Sequence, residues 1–265
     1  MNGRVLIIAG SDSGGGAGIQ ADIKSVTAMG AFAATAITAL TAQNTLGVHG
    51  IEAVSTAFLR QQIEVVLSDI GADAIKTGML HDVATIEAVC DLLPGGVPLV
   101  ADPVMVAKGG HALLAADAVA TLRARLVPLA TVLTPNIPEA EVLAGMTIPD
   151  EAAMHRAAEA LLRLGAHAVL LKGGHMTGDV LVDLLVTPQG TTRYESRRIE
   201  TRHTHGTGCT LASALAAGLA QGMALEPAVA RARDYVRAAI LAAPGYGAGH
   251  GPLDHSVTIR APLAQ

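Results

Sequence analysis

Positions 204–209 read THGTGC and run directly into the small-residue stretch TLASALAAGLAQG. Gly206 and Gly208 let the backbone turn its N–H groups inward at a helix N-terminus, where those donors and the helix dipole favour an anion such as phosphate. An ordinary helix start with glycine near its cap is the competing reading. The thiol of Cys209 at the end of the turn is the unusual member. Other groups with chemical potential are spread along the chain. SDSGGGAGIQAD is a second Gly-rich turn before a helix, in which Asp22 reads equally well as a solvated residue of the first turns. Gln43, in TAQNT, offers an amide that can donate and accept together, as a heterocycle edge requires; alone it is a loop glutamine. Asp102 follows an apolar strand and precedes Pro103, where a carboxylate could orient a metal-bound water. Asn136 and Glu139, three apart in TPNIPE, can share one face near the positive end of a helix, and Glu139 can equally be a capping acid. Lys172 and His175 flank a glycine turn, and either could be a surface residue.

Several chemistries are absent from the pattern. There is no GxxxxGK[ST] and no GxGxxG, so the P-loop and the dinucleotide fingerprint are excluded, and no HExxH or ligand-spaced His and Cys residues point to zinc. The 265 residues carry a formal net charge of −5 with only 15% charged residues and no run of Lys or Arg, so no footprint for nucleic acid or an anionic membrane is visible. With no Trp and two Phe, stacking platforms for single strands are missing too. VLIIAG is too short for a signal sequence, and AFAATAITAL is far below the roughly 20 residues of a membrane span. Two distant cysteines, Cys90 and Cys209, fit a reducing, cytoplasmic setting, with Cys90 as inert filling in IEAVCDLL.

A hydrophobic content of 51% is ample for a core at this length, and the whole chain, 1–265, reads as one domain. Short apolar runs at 5–9, 32–40, 74–76, 99–101, 131–133 and 168–171 predict strands. Amphipathic stretches at 19–29, 56–68, 83–92, 115–126 and 151–164 predict helices between them. That alternation predicts a mainly parallel sheet covered on both faces, a three-layer α/β/α fold. LVDLLVT and TTRYESRRI, separated by PQG, predict an antiparallel hairpin, and helices at 207–221 and 226–241 close the domain. The polar clusters GSDSGGGAG, TAQN, KTGM, DPVM, TPNIPE and KGGH each follow the carboxyl end of a predicted strand, the edge at which open α/β sheets bind ligands.

In this order the clusters resemble the ribokinase-like superfamily, and within it the hydroxymethylpyrimidine/phosphomethylpyrimidine kinases of thiamine biosynthesis. The resemblance rests on AGSDSGGGAGIQADIK, ITALTAQNTLGV, KTGML, DPVMVAKGG, TPNIPEAE, KGGH and THGTGCTLASALAAGLA, which span nearly the whole chain. It implies a ribokinase-like fold and an ATP- and Mg²⁺-dependent transfer to the hydroxymethyl group of an aminopyrimidine, then to the monophosphate. Where most of the superfamily has aspartate at the end of the glycine turn, the pyrimidine kinases resemble this chain in having cysteine. Cys209 is then expected to take the proton of an alcohol or phosphate, or only to orient the substrate. A free thiol has a pKa of about 8.5, which a helix N-terminus can lower. The resemblance further implies that Gly10, Asp22, Gln43, Met79 and Val106 form the ring pocket, that Asn136, Lys172 and Thr207 lie toward ATP, and that Asp102 and Glu139 serve the metal through water. It implies a homodimer with small-molecule substrates. The related alternatives are a pyridoxal kinase of the cysteine-containing type and a non-catalytic pyrimidine sensor.

Overall fold

The computed structural model describes residues 1–107, 110–115 and 117–259. In chain order the elements are β1 (Arg4–Asp12), α1 (Gly18–Ala28), β2 (Phe32–Asn44), β3 (Gly47–Ala53), α2 (Thr56–Asp69), β4 (Ala74–Thr77), α3 (Val83–Leu92), β5 (Leu99–Ala101), α4 (Ala118–Thr121), β6 (Val132–Leu133), α5 (Ile137–Ala144), α6 (Glu151–Arg163), β7 (Val169–Lys172), β8 (Val180–Thr187), β9 (Gly190–Arg197), α7 (Thr207–Ala220) and α8 (Leu225–Leu241). Among the described residues the strands form one sheet in the order β3-β2-β1-β4-β5-β6-β7-β8-β9. Pairing is parallel from β2 through β7 and antiparallel at β3, β8 and β9.

β1 explains the layering. Its run VLIIA is buried at every position, as a central parallel strand requires, because alternate side chains enter different cores. Leu6 and Ile8 pack with Leu59 and Ile63 of α2 and Ile86 of α3. Val5 and Ile7 pack on the opposite face with Ile19 and Val26 of α1, Leu215 of α7 and Val229 of α8. α7 is buried from Thr210 to Gly218, which its Ala- and Gly-rich sequence permits, so the turn that precedes it is anchored to the centre of the molecule.

Two details differ from expectation, and a third, the helix start at TPNIPE, is borne out. β2 continues to Asn44, because its last residues pair with β3, a short strand with two glycines and no alternating apolar signal. TAQN is therefore strand end, and not loop. TPNIPE opens a complete helix, α5, which Pro138 and the capping residues start and Gly145, in the left-handed region, stops. The helix expected at 115–126 begins only at Ala118 and passes through a wide turn at Leu122–Leu126 and a tight one at Val127–Leu129; residue 116 lies outside the described residues. No helix among the described residues is long and apolar enough to cross a membrane.

Candidate active site

After β1 the chain moves to one side of the sheet, and after β4 to the other, although β1 and β4 are neighbours. Connections that diverge in this way leave a crevice beyond the strands' carboxyl ends. A cavity of about 410 Å³ opens there, within the range of small-ligand sites. Gly10 and Met79, at the ends of β1 and β4, lie on its wall with Gln43 and Val106. Met79 is buried against Ala39 and Leu113, so this part of the wall is apolar and sulfur-lined, whereas Val106 is half exposed at the rim.

The Gly206–Cys209 turn forms another part of the same wall. Gly206 caps α7 in the left-handed region, φ 85°, and Thr207 begins the helix. A Cβ on Gly208 would stand 3.3 Å from Lys172 Nζ and 3.5 Å from Asp102 Oδ2, so the absent side chain leaves room beside both charges. Lys172 ends β7 and donates to Asp102 Oδ1 at 3.0 Å, and Thr134 donates to the same oxygen at 3.0 Å. Burial would lower the Lys172 pKa, but Asp102 and Glu139 reverse that and hold the ammonium charged. A cation, a hydroxyl-bound carboxylate and free helix N–H groups thus converge where an anion can sit.

Glu139 fulfils both of its readings. Its N–H donates to Asn136 Oδ1 at 3.0 Å and its Oε2 accepts from the Asn136 N–H at 2.9 Å, a complete capping box. It also lines the cavity. Burial, reinforced by Asp102 and opposed by Lys172, pushes its carboxyl up to about 7. Among the described residues no group of three or more His, Cys, Asp and Glu could hold a metal by itself. Of the carboxylates at the cavity, Asp12 is bound by His205 and the loop N–H groups, while Asp102 and Glu139 fit a hard cation that keeps waters and takes its remaining ligands from phosphate, as Mg²⁺ does.

One expected ring contact is corrected. Asp22 is fully buried and does not line the cavity. Both its oxygens accept from Lys76 Nζ at 2.8 Å, and Oδ1 also accepts from the Ser213 hydroxyl at 2.7 Å. A lysine in the middle of the sheet must be neutralised, and Asp22 is occupied in doing so. Lys76 was not singled out from the sequence, although a lysine inside the apolar strand AIKT is itself a signal, since lysine is almost never buried unpaired. Its side chain reaches the cavity wall.

The thiol is also corrected. Cys209 as a residue is half-buried, but enclosure of its sulfur pushes the thiol up to about 12, against the pull of Lys76 and the Gly18 N–H. Desolvation therefore outweighs the helix N-terminus, and the thiol carries its proton at neutral pH. Asp12 and His205, also missed, join the Gly-rich loop to the glycine turn: His205 Nε2 lies 2.9 Å from Asp12 Oδ2 and 3.0 Å from the Gln43 amide.

The profile of the phosphomethylpyrimidine kinase family matches residues 12–254. The chain is 51% identical to a hydroxymethylpyrimidine/phosphomethylpyrimidine kinase of Rhizobium meliloti, over 96% of this chain and 97% of that one. It is 53% identical to the thiamine biosynthesis bifunctional protein ThiED of Geobacter sulfurreducens over 96% of its own length, and spans 52% of that longer protein. Among solved structures, an ADP complex of Bacillus subtilis pyridoxal kinase superposes with a TM-score of 0.90 at 36% identity, covering 98% of this chain and 100% of that one. A ribokinase-like fold, a glycine turn ending in cysteine, and this match over nine-tenths of the sequence place the chain in the phosphomethylpyrimidine kinase family.

Proposed function

We propose that the chain moves the γ-phosphoryl of ATP to the 5-hydroxymethyl oxygen of 4-amino-5-hydroxymethyl-2-methylpyrimidine, and then phosphorylates the monophosphate, as one domain of 265 residues. The observation that carries this reading is a single cavity that joins an apolar, Met79-lined wall to the Gly206–Cys209 turn and the Lys172–Asp102 pair. Gly10, Gln43, Met79 and Val106 take the ring. Asn136, Lys172 and Thr207 face ATP, and the N–H groups around Gly206 and Gly208 stabilise charge on the phosphoryl group as it transfers. Mg²⁺, near Asp102 and Glu139, neutralises phosphate charge. A cytoplasmic homodimer belongs to the same proposal, supported by the free thiols and by the exposed Leu40 and Leu46 on the β2–β3 hairpin.

An ATPase-coupled assay with the pyrimidine tests the reading: turnover that requires it is expected, and its absence would leave a non-catalytic binder. The pyridoxal kinase neighbour favours a second reading, turnover of a pyridoxal-type ring. Comparison of kcat/KM on the two substrates decides between them.

Two variants probe the roles of individual groups. Cys209→Ala is expected to lower kcat at least about tenfold while the protein stays folded, because the protonated thiol at the end of the glycine turn orients the reacting hydroxyl. Unchanged kcat in a well-folded variant removes the thiol from the chemistry. Glu139→Gln keeps the capping box, since glutamine serves that position equally well, and deletes only the charge. It is expected to raise the magnesium concentration needed for half-maximal rate, with little effect on pyrimidine binding. Because a cation draws Glu139 into its ionised form, the affinity of the wild type for Mg·ATP should rise with pH through about 7, and the variant should lose that slope. Wild-type metal and pH dependence would leave Glu139 as a cap alone.

A further inference from the structure

The Gln43 amide has one of its ends already occupied. The backbone of Gln43 is held by Ser13, whose hydroxyl accepts from the Gln43 N–H at 2.9 Å and donates to its carbonyl at 3.0 Å. Only the side chain is left to adjust. Its terminal amide atom nearest His205 lies 3.0 Å from Nε2 and is assigned as nitrogen, but the O and N of an amide are told apart only by their partners. The other partner of His205 Nε2 settles the matter. Asp12 Oδ2 is 2.9 Å away, and the Asp12 carboxylate also accepts from the N–H groups of Gly14 at 2.8 Å, Gly16 at 3.0 Å and Ala17 at 2.8 Å. Burial opposes its charge, but the His205 bond and the loop N–H groups outweigh that and hold the carboxyl below the usual range. An ionised carboxylate only accepts. Nε2 therefore carries a proton whether the imidazole is neutral or charged, and the Gln43 atom beside it must be the oxygen.

The geometry points to His205 as a positioning residue that, held by Asp12, turns the Gln43 amide so that its NH₂ group faces the substrate ring. Resting on the proposed function, this revises what Gln43 can recognise. An amide free at both ends would serve a ring nitrogen and the neighbouring amine together; with its carbonyl turned to His205, Gln43 presents its NH₂ donors to the ring. It selects rings that present an acceptor, an unsubstituted sp² nitrogen, and the exocyclic amine must be met elsewhere. The same clasp ties the loop after β1 to the turn before α7, so ring recognition and the phosphate side share one hydrogen-bonded strut.

Two measurements test the assignment. In ¹⁵N-labelled ligand-free protein, the long-range ¹H–¹⁵N spectrum should show His205 Nε2 as a protonated nitrogen, and the Gln43 NH₂ signals should move when the pyrimidine is added. An unprotonated Nε2, or NH₂ signals unmoved by a pyrimidine that binds, overturns it. In kinetics, His205→Leu frees the amide and should raise KM for the pyrimidine about five- to tenfold, the worth of one hydrogen bond, and by clearly more than it raises KM for ATP, which feels only the loosened strut. His205→Gln, whose NH₂ can reach both Asp12 and the Gln43 oxygen, should restore much of the loss. An unchanged KM for the pyrimidine, or equal rises for the pyrimidine and ATP, shows that His205 only supports the turn. If no pyrimidine is turned over, the proposed function fails, while the nitrogen shift still decides the state of His205.

Discussion

Lys76→Met is expected to destabilise the protein by about 3–5 kcal/mol, because it leaves Asp22 buried without its counter-charge. For a chain of this size that corresponds to a fall in Tm of roughly 6–20 °C. Both side chains are fully enclosed, both carboxylate oxygens are 2.8 Å from the ammonium, and the pair lies between β4, α1 and α7 beneath the cavity. Burial alone would lower the Lys76 pKa, yet Asp22, Cys209 and Asp102 raise it, so the lysine is charged at neutral pH. Burial pushes the Asp22 carboxyl up, and Lys76 is the main force opposing this. Once Lys76 is gone, the folded state holds Asp22 protonated far above its unfolded pKa of about 3.9. Stability that depends on this proton is complete below that pH and is lost as pH rises, so the deficit should be smallest near pH 4 and largest at neutral pH. Urea melts of both proteins across that range measure it. Asp22→Leu combined with Lys76→Met should recover most of the loss, since a buried pair is often replaceable by apolar groups. A single variant as stable as the wild type at pH 7 would mean that water reaches the pair.

The parts of this architecture that were legible in the sequence are those in which one local rule decides the outcome. VLIIA is apolar at every position because β1 is covered on both faces, and the PQG hairpin is set by its turn. The clusters after the strand ends were legible as a group because a parallel sheet brings those ends to one edge. What stayed hidden depends on partners distant in sequence. β3 is a strand only because the end of β2 supplies its hydrogen bonds. Asp22 has the pattern of an early helical acid, and only the fold brings Lys76, 54 positions later, to its carboxylate. His205 and Asp12 are 193 positions apart. The Cys209 thiol misled for a different reason: its place at a helix start is a sequence feature that lowers a pKa, whereas the enclosure that outweighs it comes from distant segments folded around the turn.

The glycine turn admits a comparison in which two similar substitutions should fail in different ways. Gly206→Ala places a side chain on a residue at φ 85°, a conformation that costs an L-residue about 1–2 kcal/mol, and drives its Cβ into the carbonyl oxygen of Gly16. Backbone on both sides leaves nothing flexible to yield, so overpacking adds about 1–3 kcal/mol. The Gly-rich loop and the turn must then separate, which also displaces the N–H groups that face the phosphate. A shift on the order of 1 Å in such groups can lower turnover about a hundredfold. Gly206→Ala should therefore lose both stability and kcat/KM. Gly208→Ala has no positive φ to violate, and its Cβ would meet only Lys172 Nζ at 3.3 Å and Asp102 Oδ2 at 3.5 Å. It should fold with a Tm near that of the wild type, while its methyl group occupies the space beside Lys172 that a phosphate oxygen needs. Thermal melts and steady-state kinetics on both variants provide the test. A loss of Tm in Gly206→Ala alone, with kcat/KM reduced in both, is the expected result; full activity in Gly208→Ala would place the transferred phosphoryl group away from this turn.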